Sequence, residues 1–290
     1  MSIRNFLFTG DTHGHFELLF EKLKRSDCVP EETAIVVLGD SGLNYWRGHD
    51  KGSYKMDNHL QQSLQDTGYT WYILRGNHDQ RPETTPGTFI HYDDEVVNEV
   101  YVREAYPNVR YLIDGNIYMF NGRTVLAIGG AYSVDKFYRL ARRNLPNDWC
   151  GWWSDEQLSG KERDEILGEL RAFTPKIDFV LTHTCPRNFQ PTDLFLSQVD
   201  QSLVDSSMED WLDVVRKTIS WRYWLFGHYH ADRVEEQHVI QLYNEVISLE
   251  EVEEMWYDYD HRGIAAIEER DWNYRRNGWE TQWKTEPRAN

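Results

Sequence analysis

Cysteine is scarce in this chain, with three residues, Cys28, Cys150 and Cys185, in 290. They are odd in number, far apart and in no CxxC arrangement. That argues against a disulfide framework or a structural zinc site and for reduced thiols in the cytoplasm. Positive charge is in deficit too: Lys and Arg total 31 against 48 Asp and Glu, a formal net charge of −17. Such a surface repels a phosphate backbone, so long nucleic acid is not an expected partner. A small anion held by metal ions escapes that argument, because the ions dominate the local field. No apolar run reaches membrane-spanning length, and residues 3–9 are too short for a targeting segment. No repeat, low-complexity block or Pro/Gly/Ser linker divides the chain. One domain over residues 1–270 is expected, followed by a tail at 271–290.

Core material is ample, since 40% of residues are hydrophobic, with 12 Trp and 14% aromatics. The first third alternates strand and helix patterns. IRNFLFT, TAIVVLG and YTWYILRG read as buried strands, while HFELLFEKLKRS and HLQQSLQDTG read as helices. This βαβαβ rhythm predicts an α/β fold with a mainly parallel sheet. From residue 109 on, VRYLIDG, NIYMFNG and RTVLAIGG look like an antiparallel meander. DEQLSGKERDEILGELRAF is a helix by pattern, KIDFVLTH and YWLFGH are strands, VISLEEVEEMW is helical and GIAAIEE reads as a closing strand.

Five segments end in groups suited to metals: GDTHGH, LGD, GNHD, THT and GHYH. They supply Asp11, His13, Asp40, Asn77, His183, His228 and His230, a mixed oxygen and nitrogen set appropriate for divalent transition metals. Asp11, Asp40 and Asn77 each follow a strand, where open α/β sheets bind ligands. Asp11 and His13 are two apart, as are His228 and His230. In extended chain each pair would share one side, with Tyr229 pointing away. One aspartate, with its two oxygens, is able to bridge two cations. Gly76 permits the turn that would offer the Asn77 carbonyl and leave His78 facing a substrate.

The pattern Asp-x-His, Gly-Asp, Gly-Asn-His-Asp, His and Gly-His-x-His resembles the calcineurin-like metallophosphoesterase superfamily, from Asp11 to His230. GDSGLNYW, GGAYSVDKFYR and WWSDEQLS are similar to segments of bacterial and phage members. The resemblance implies a four-layer α/β fold, two facing mixed sheets flanked by helices with two metals at the strand ends. The first metal would take Asp11, His13, Asp40 and His230. The second would take Asp40, Asn77, His183 and His228, with Asp40 as the bridge. His78 would serve catalysis without holding metal, facing the phosphate and the leaving oxygen. Manganese is the favoured cofactor, with iron and zinc as alternatives, and a metal-activated hydroxide would attack phosphorus.

The phosphoprotein phosphatase branch carries Gly-Asp-x-x-Asp-Arg-Gly, whereas this chain has Leu43 and Asn44 where that Asp and Arg would stand. A small phosphodiester or nucleotide is therefore expected ahead of a phosphomonoester or phosphoprotein, and a nuclease is a further alternative. The non-enzymatic alternative is an interaction scaffold with a vestigial site. Arg75 is a candidate phosphate contact, and His15 and Tyr132 are candidate pocket residues. Ser133, Asp135, Trp152 and Trp153 are further candidates for a wall against a base.

Overall fold

Alternation along the first strand shows how the layers are built. The computed structural model describes residues 2–45, 53–142, 151–235 and 238–262. In β1 (Asn5–Thr9), Phe6 stacks on Phe120 with ring centroids 4.3 Å apart, and Phe8 faces Phe179 at 5.9 Å. Leu7, on the opposite side of the pleat, packs with Leu19, Leu23, Leu64 and Trp71. One side of the strand thus faces a second sheet and the other a layer of helices.

The chain forms two compact units, Met1–Val246 and Ile247–Asn290. In the first, β1 is followed by α1 (Glu17–Arg25), β2 (Thr33–Val37), α2 (Ser53–Gln65) and β3 (Thr70–Ile73). Then come β4 (Thr88–Asp93), β5 (Asn98–Arg103), β6 (Tyr106–Leu112), β7 (Ile117–Phe120) and β8 (Arg123–Ile128). Helices α3 (Lys136–Arg142) and α4 (Gly160–Phe173) lead to β9 (Lys176–Thr182), α5 (Ser207–Thr218) and β10 (Ser220–Phe226). β11 (Arg233–Glu235) and β12 (Val239–Gln241) complete this unit. Within it the first sheet runs β1-β2-β3-β6-β5-β4, and the second runs β11-β12-β10-β9-β8-β7. Each has a parallel centre closed by antiparallel strands: β5 and β4 in the first sheet, β11 and β7 in the second. These are the two mixed, helix-flanked sheets that the resemblance implies.

Local sequence explains the helices nearest the site. α1 buries Leu19 and Leu23, four apart, and carries Glu17 in its first turn and basic residues in its last, each complementing the helix dipole. Ser159 and Glu162 form a reciprocal capping box at the start of α4. The helix read from residue 155 therefore starts at Gly160, because the cap stops it from extending backwards. On the second sheet, Leu167 and Leu170 of α4 join Leu212 and Val215 of α5 over Leu126, Val180 and Trp224.

The expected meander is corrected by the structure. β6 lies in the first sheet, parallel to β3, and of the three expected strands only β7 and β8 pair with each other, in the second sheet. Short turn-bounded strands look alike whichever sheet receives them. In the second unit, β13 (Ile247–Ser248) precedes α6 (Leu249–Arg262). The strand expected at 263–269 and the tail at 271–290 lie outside the described residues, as does Cys150. Cys28 and Cys185 are free thiols. Among the described residues, no helix is long and apolar enough to cross a membrane.

Candidate metal centre

The seven expected donors converge, and they do so through turns rather than through strand alternation. His13, Asp40, His228 and His230 have φ of 47°, 45°, 69° and 51°. Left-handed backbone costs a non-glycine residue about 1–2 kcal/mol, and such strain gathers at functional sites. The period-two argument for Asp11 with His13 and for His228 with His230 is thus corrected. The chain winds tightly just past each strand, bringing side chains together that extended backbone would hold farther apart. Tyr229 does not point away from the site either. Its ring lies 4.8 Å from that of His228, and it lines the adjoining cavity.

Glycine makes the close approach possible. A Cβ on Gly76 would collide with the Asp40 carboxylate and backbone, and one on Gly39 would collide with the His183 ring. The GNHD bend is closed by Asp79, whose carboxylate accepts the Gly76 N–H at 2.9 Å. Asn77 donates its amide to Ser133 Oγ at 2.8 Å. That fixes the amide orientation and turns Oδ1 towards His183 Nε2 at 2.9 Å and His228 Nδ1 at 3.1 Å. Ser133 is a positioning residue by this contact, although the sequence suggested only a wall.

The remaining donors crowd in the same way. His13 and His230 bring their Nε2 atoms to 2.9 Å. Asp40 accepts the His78 backbone N–H at 2.9 Å and sits 3.5 Å from His183 Nε2. Asp11 receives the His228 N–H on both oxygens, at 3.1 and 2.9 Å. Ligand atoms of Asp11, His13 and His230 all lie within 4.8 Å of one another, and so do those of Asp11, Asp40 and His183. Asp11 belongs to both groups, whereas Asp40 was the expected bridge. Two buried carboxylates among imidazoles with facing lone pairs are poorly satisfied by each other, and divalent cations would satisfy them. The donor set therefore fits metal.

The electrostatics agree with that fit. Burial pushes the Asp11 carboxyl up to about 8. Burial also acts on Asp40, but His78 and His183 outweigh it and hold this carboxyl well below the usual range. Burial lowers the His183 imidazole, yet Asp40 overrides it and raises the group to about 9. Burial keeps His13 and His228 below the ordinary histidine value, so their lone pairs are free at neutral pH. At pH 7 the metal-free protein thus carries protons on Asp11 and His183 that a cation must displace. Calorimetric titration with Mn²⁺ in buffers of different ionisation enthalpy should show release of about two protons per chain. Affinity should rise with pH and level off above about 9, where His183 has lost its proton. Binding without proton release would remove Asp11 and His183 from the ligand set.

His78 stands beside the cluster, its Nε2 3.7 Å from Asp40 Oδ2. Burial pushes it down to about 4, opposed by Asp40 and reinforced by Arg139. Arg139, on α3, approaches the same His78 nitrogen at 3.3 Å. Its guanidinium is held by Asp135 at 2.7 Å, the Tyr45 hydroxyl at 3.0 Å and Gly151 O at 2.9 Å. Sequence reading passes over Arg139 and favours Arg75 as the phosphate contact. The structure corrects this: Arg75 is buried with its donors committed to Asp114, Glu156 O and Gly129 O, and it does not line the cavity. The clue available was the GGAYSVDKFYR segment, where Asp135 and Arg139 are spaced to pair on one helix face.

A cavity of about 600 Å³ opens over the centre, lined by His13, Asp40, Asn77, His78, Arg139, His228 and His230. Tyr132, Ser133 and Asp135 line it as well. His15 is exposed on the turn before α1 and does not line it, because that turn directs the chain outwards. Trp152 and Trp153 do not line it either. Trp153 instead donates its indole N–H to the His78 carbonyl at 3.2 Å.

Among solved structures the chain is similar to TT1561 of Thermus thermophilus, with 15% identity over 85% of this chain and 98% of that one, at a TM-score of 0.43. It is also similar to the phosphopantetheinyl hydrolase PptH from Mycobacterium tuberculosis, with 15% identity over 89% of this chain and 92% of that one, at a TM-score of 0.42. No curated protein matches it. The model of the calcineurin-like phosphoesterase family matches residues 4–232, a span that holds every donor described above. The chain belongs to the calcineurin-like phosphoesterase family and is a metal-dependent hydrolase of phosphate esters.

Proposed function

We propose that this enzyme hydrolyses a small phosphodiester or nucleotide-sized phosphate ester with two divalent cations, manganese by preference. Asp11, His13, Asp40 and His230 would hold one cation, and Asp40, Asn77, His183 and His228 the other. Bound cations supply Lewis acidity and hydroxide at neutral pH. The carrying observation is the cavity whose wall holds five of the seven donors, His13, Asp40, Asn77, His228 and His230, together with Arg139 and His78, with Asp11 and His183 buried against them.

The protein's own groups have separate tasks in this reading. Arg139, pre-oriented by Asp135 and Tyr45, meets a phosphoryl oxygen without first having to be ordered. It answers the need left by Leu43 and Asn44, where the phosphoprotein branch has its Asp and Arg. His78 faces the leaving oxygen and delivers the proton. A phosphoryl group beside it adds negative charge, which opposes the burial that keeps its imidazole neutral in the free protein. Ser133 keeps the Asn77 carbonyl aimed at the cluster. The acidic balance of the chain disfavours polyanions, and the free thiols Cys28 and Cys185 suit a reducing, cytoplasmic setting.

Steady-state kinetics of the manganese-loaded protein on bis-nitrophenyl phosphate, cyclic and linear nucleotides, a phosphopeptide and single-stranded DNA test this reading. The small esters should lead in kcat/KM. A phosphopeptide or DNA ahead by more than about tenfold would overturn the substrate class. In the same assay Arg139→Ala should lower kcat/KM about a hundredfold while metal content stays unchanged. An effect of less than about threefold would remove Arg139 from the phosphate site.

A further inference from the structure

The cavity has a second limb that the metal centre does not use. The chain from His183 to Ser206 connects β9 to α5 and contains only three single-turn helices, Arg187–Phe189, Thr192–Leu194 and Gln201–Leu203. Connections of this length without regular structure are uncommon in compact units and are usually functional. Leu194, Phe195, Leu196, Val199 and Val204 from this segment line the limb. Leu196 is 52% exposed, so apolar surface is left uncovered at the mouth of a polar site. The Phe195 ring stacks on Tyr229 at 6.3 Å and 22°, and Tyr229 in turn packs on His228. An apolar path therefore leads straight from the expected metal ligands into the limb.

Charge is distributed unevenly along this path. Among the described residues, Arg139 is the only Lys or Arg lining the cavity, and it stands at the metal end. The limb carries the opposite sign, Glu209, whose Oε1 accepts from Thr184 Oγ1 at 2.8 Å. One phosphoryl group is provided with a counter-charge. A second anionic group farther along the substrate would meet hydrocarbon and a carboxylate.

We infer that the limb between β9 and α5 selects phosphate esters whose ester group is uncharged and apolar, and rejects those bearing a second anionic group. The inference rests on the proposal that small phosphate esters are the substrates, and it narrows that class. A cavity of about 600 Å³ is within the range of sites that enclose a drug-sized molecule, which is far more than a lone phosphate needs.

Calorimetric titration of the manganese-loaded full chain with methyl-, butyl- and hexylphosphonate tests the inference without requiring turnover. Affinity should rise roughly fourfold per added methylene, as expected for burial of a CH₂ group. Replacing the end of the hexyl chain with a carboxylate, as in 6-phosphonohexanoate, should cost at least about tenfold, since the charge is desolvated unpaired. Leu196→Asp, at a half-exposed position where folding is not at stake, should lower hexylphosphonate affinity by about tenfold or more and flatten the chain-length series, with metal content preserved. Equal affinities along the series, or equal binding of the neutral and carboxylate-ended chains, would overturn the inference. If a phosphopeptide wins the kinetic panel while the titration keeps its chain-length dependence, the substrate ranking falls and the limb stands. If small esters win and the titration is flat, the limb alone falls.

Discussion

Asp40→Ala should strip both cations from the protein and reduce turnover by more than about a thousandfold, the largest effect expected of any single change. The side chain is almost fully buried and faces His183 at 3.5 Å and His78 at 3.7 Å. Removing it takes away the carboxylate expected to bridge the two cations, together with the negative charge that balances the surrounding imidazoles. It also leaves the His78 N–H without its acceptor, so the alanine variant loses stability as well as metal. Asp40→Asn separates these effects, because the amide keeps the shape and the acceptor oxygen but loses the charge. Elemental analysis should find little metal in either variant, whereas His183→Ala should retain a substantial part. Wild-type metal content in Asp40→Asn would refute the bridging role.

His78→Ala should leave metal content and folding intact while kcat falls by about two orders of magnitude, a typical acid–base contribution. The loss should be greatest for alkyl esters, whose leaving oxygen needs a proton. It should shrink towards unity for nitrophenyl esters, whose leaving group departs as a stable anion. This dependence tells proton delivery from simple charge stabilisation, which would affect both substrate types alike. The Nε2 atom lies between Asp40 and Arg139, at 3.7 and 3.3 Å, so the ring is held by neighbours of both charges and needs no metal to orient it. A loss of bound metal comparable to that of Asp40→Asn would place His78 among the ligands instead.

Much of the fold was legible because its signals are local. TAIVV is fully buried and reads so from composition alone, and Ser159 with Glu162 marks a helix start by chemistry that acts over three residues. The candidate donors stood out for a similar reason, since all but His230 sit beside a glycine or at a strand end. What failed was information carried between distant segments. Arg139 reaches His78 across 61 positions, and its one local clue, Asp135 four residues before it, signals a helix-face pair rather than the cation of a site. Arg75, one residue before the GNHD motif, looked better placed, yet the Asp114 carboxylate claims it from 39 positions away. The β4–β5 hairpin also went unread. Phe89, Ile90 and Tyr92 of β4 are all about half exposed, so neither alternation nor continuous burial marks it as a strand. The turns at His13 and His228 were mistaken for extended chain because positive φ in a histidine has no compositional warning.

The donors are divided between the layers: Asp11, Asp40 and Asn77 end strands of the first sheet, and His183 and His228 end strands of the second. A cation held as proposed would therefore be a cross-link as well as a reagent. Asn77 and His228, assigned to the same cation, are 151 positions apart, and in chain-entropy terms pinning such a loop is worth roughly 5 kcal/mol, comparable to a long-range disulfide. Cys28 and Cys185 provide no such tie. A chelator acting on this enzyme would then do more than stop hydrolysis. It would unpin one sheet from the other at the rim, leaving the aromatic seam of Phe6, Phe8, Phe120 and Phe179 to hold the layers together.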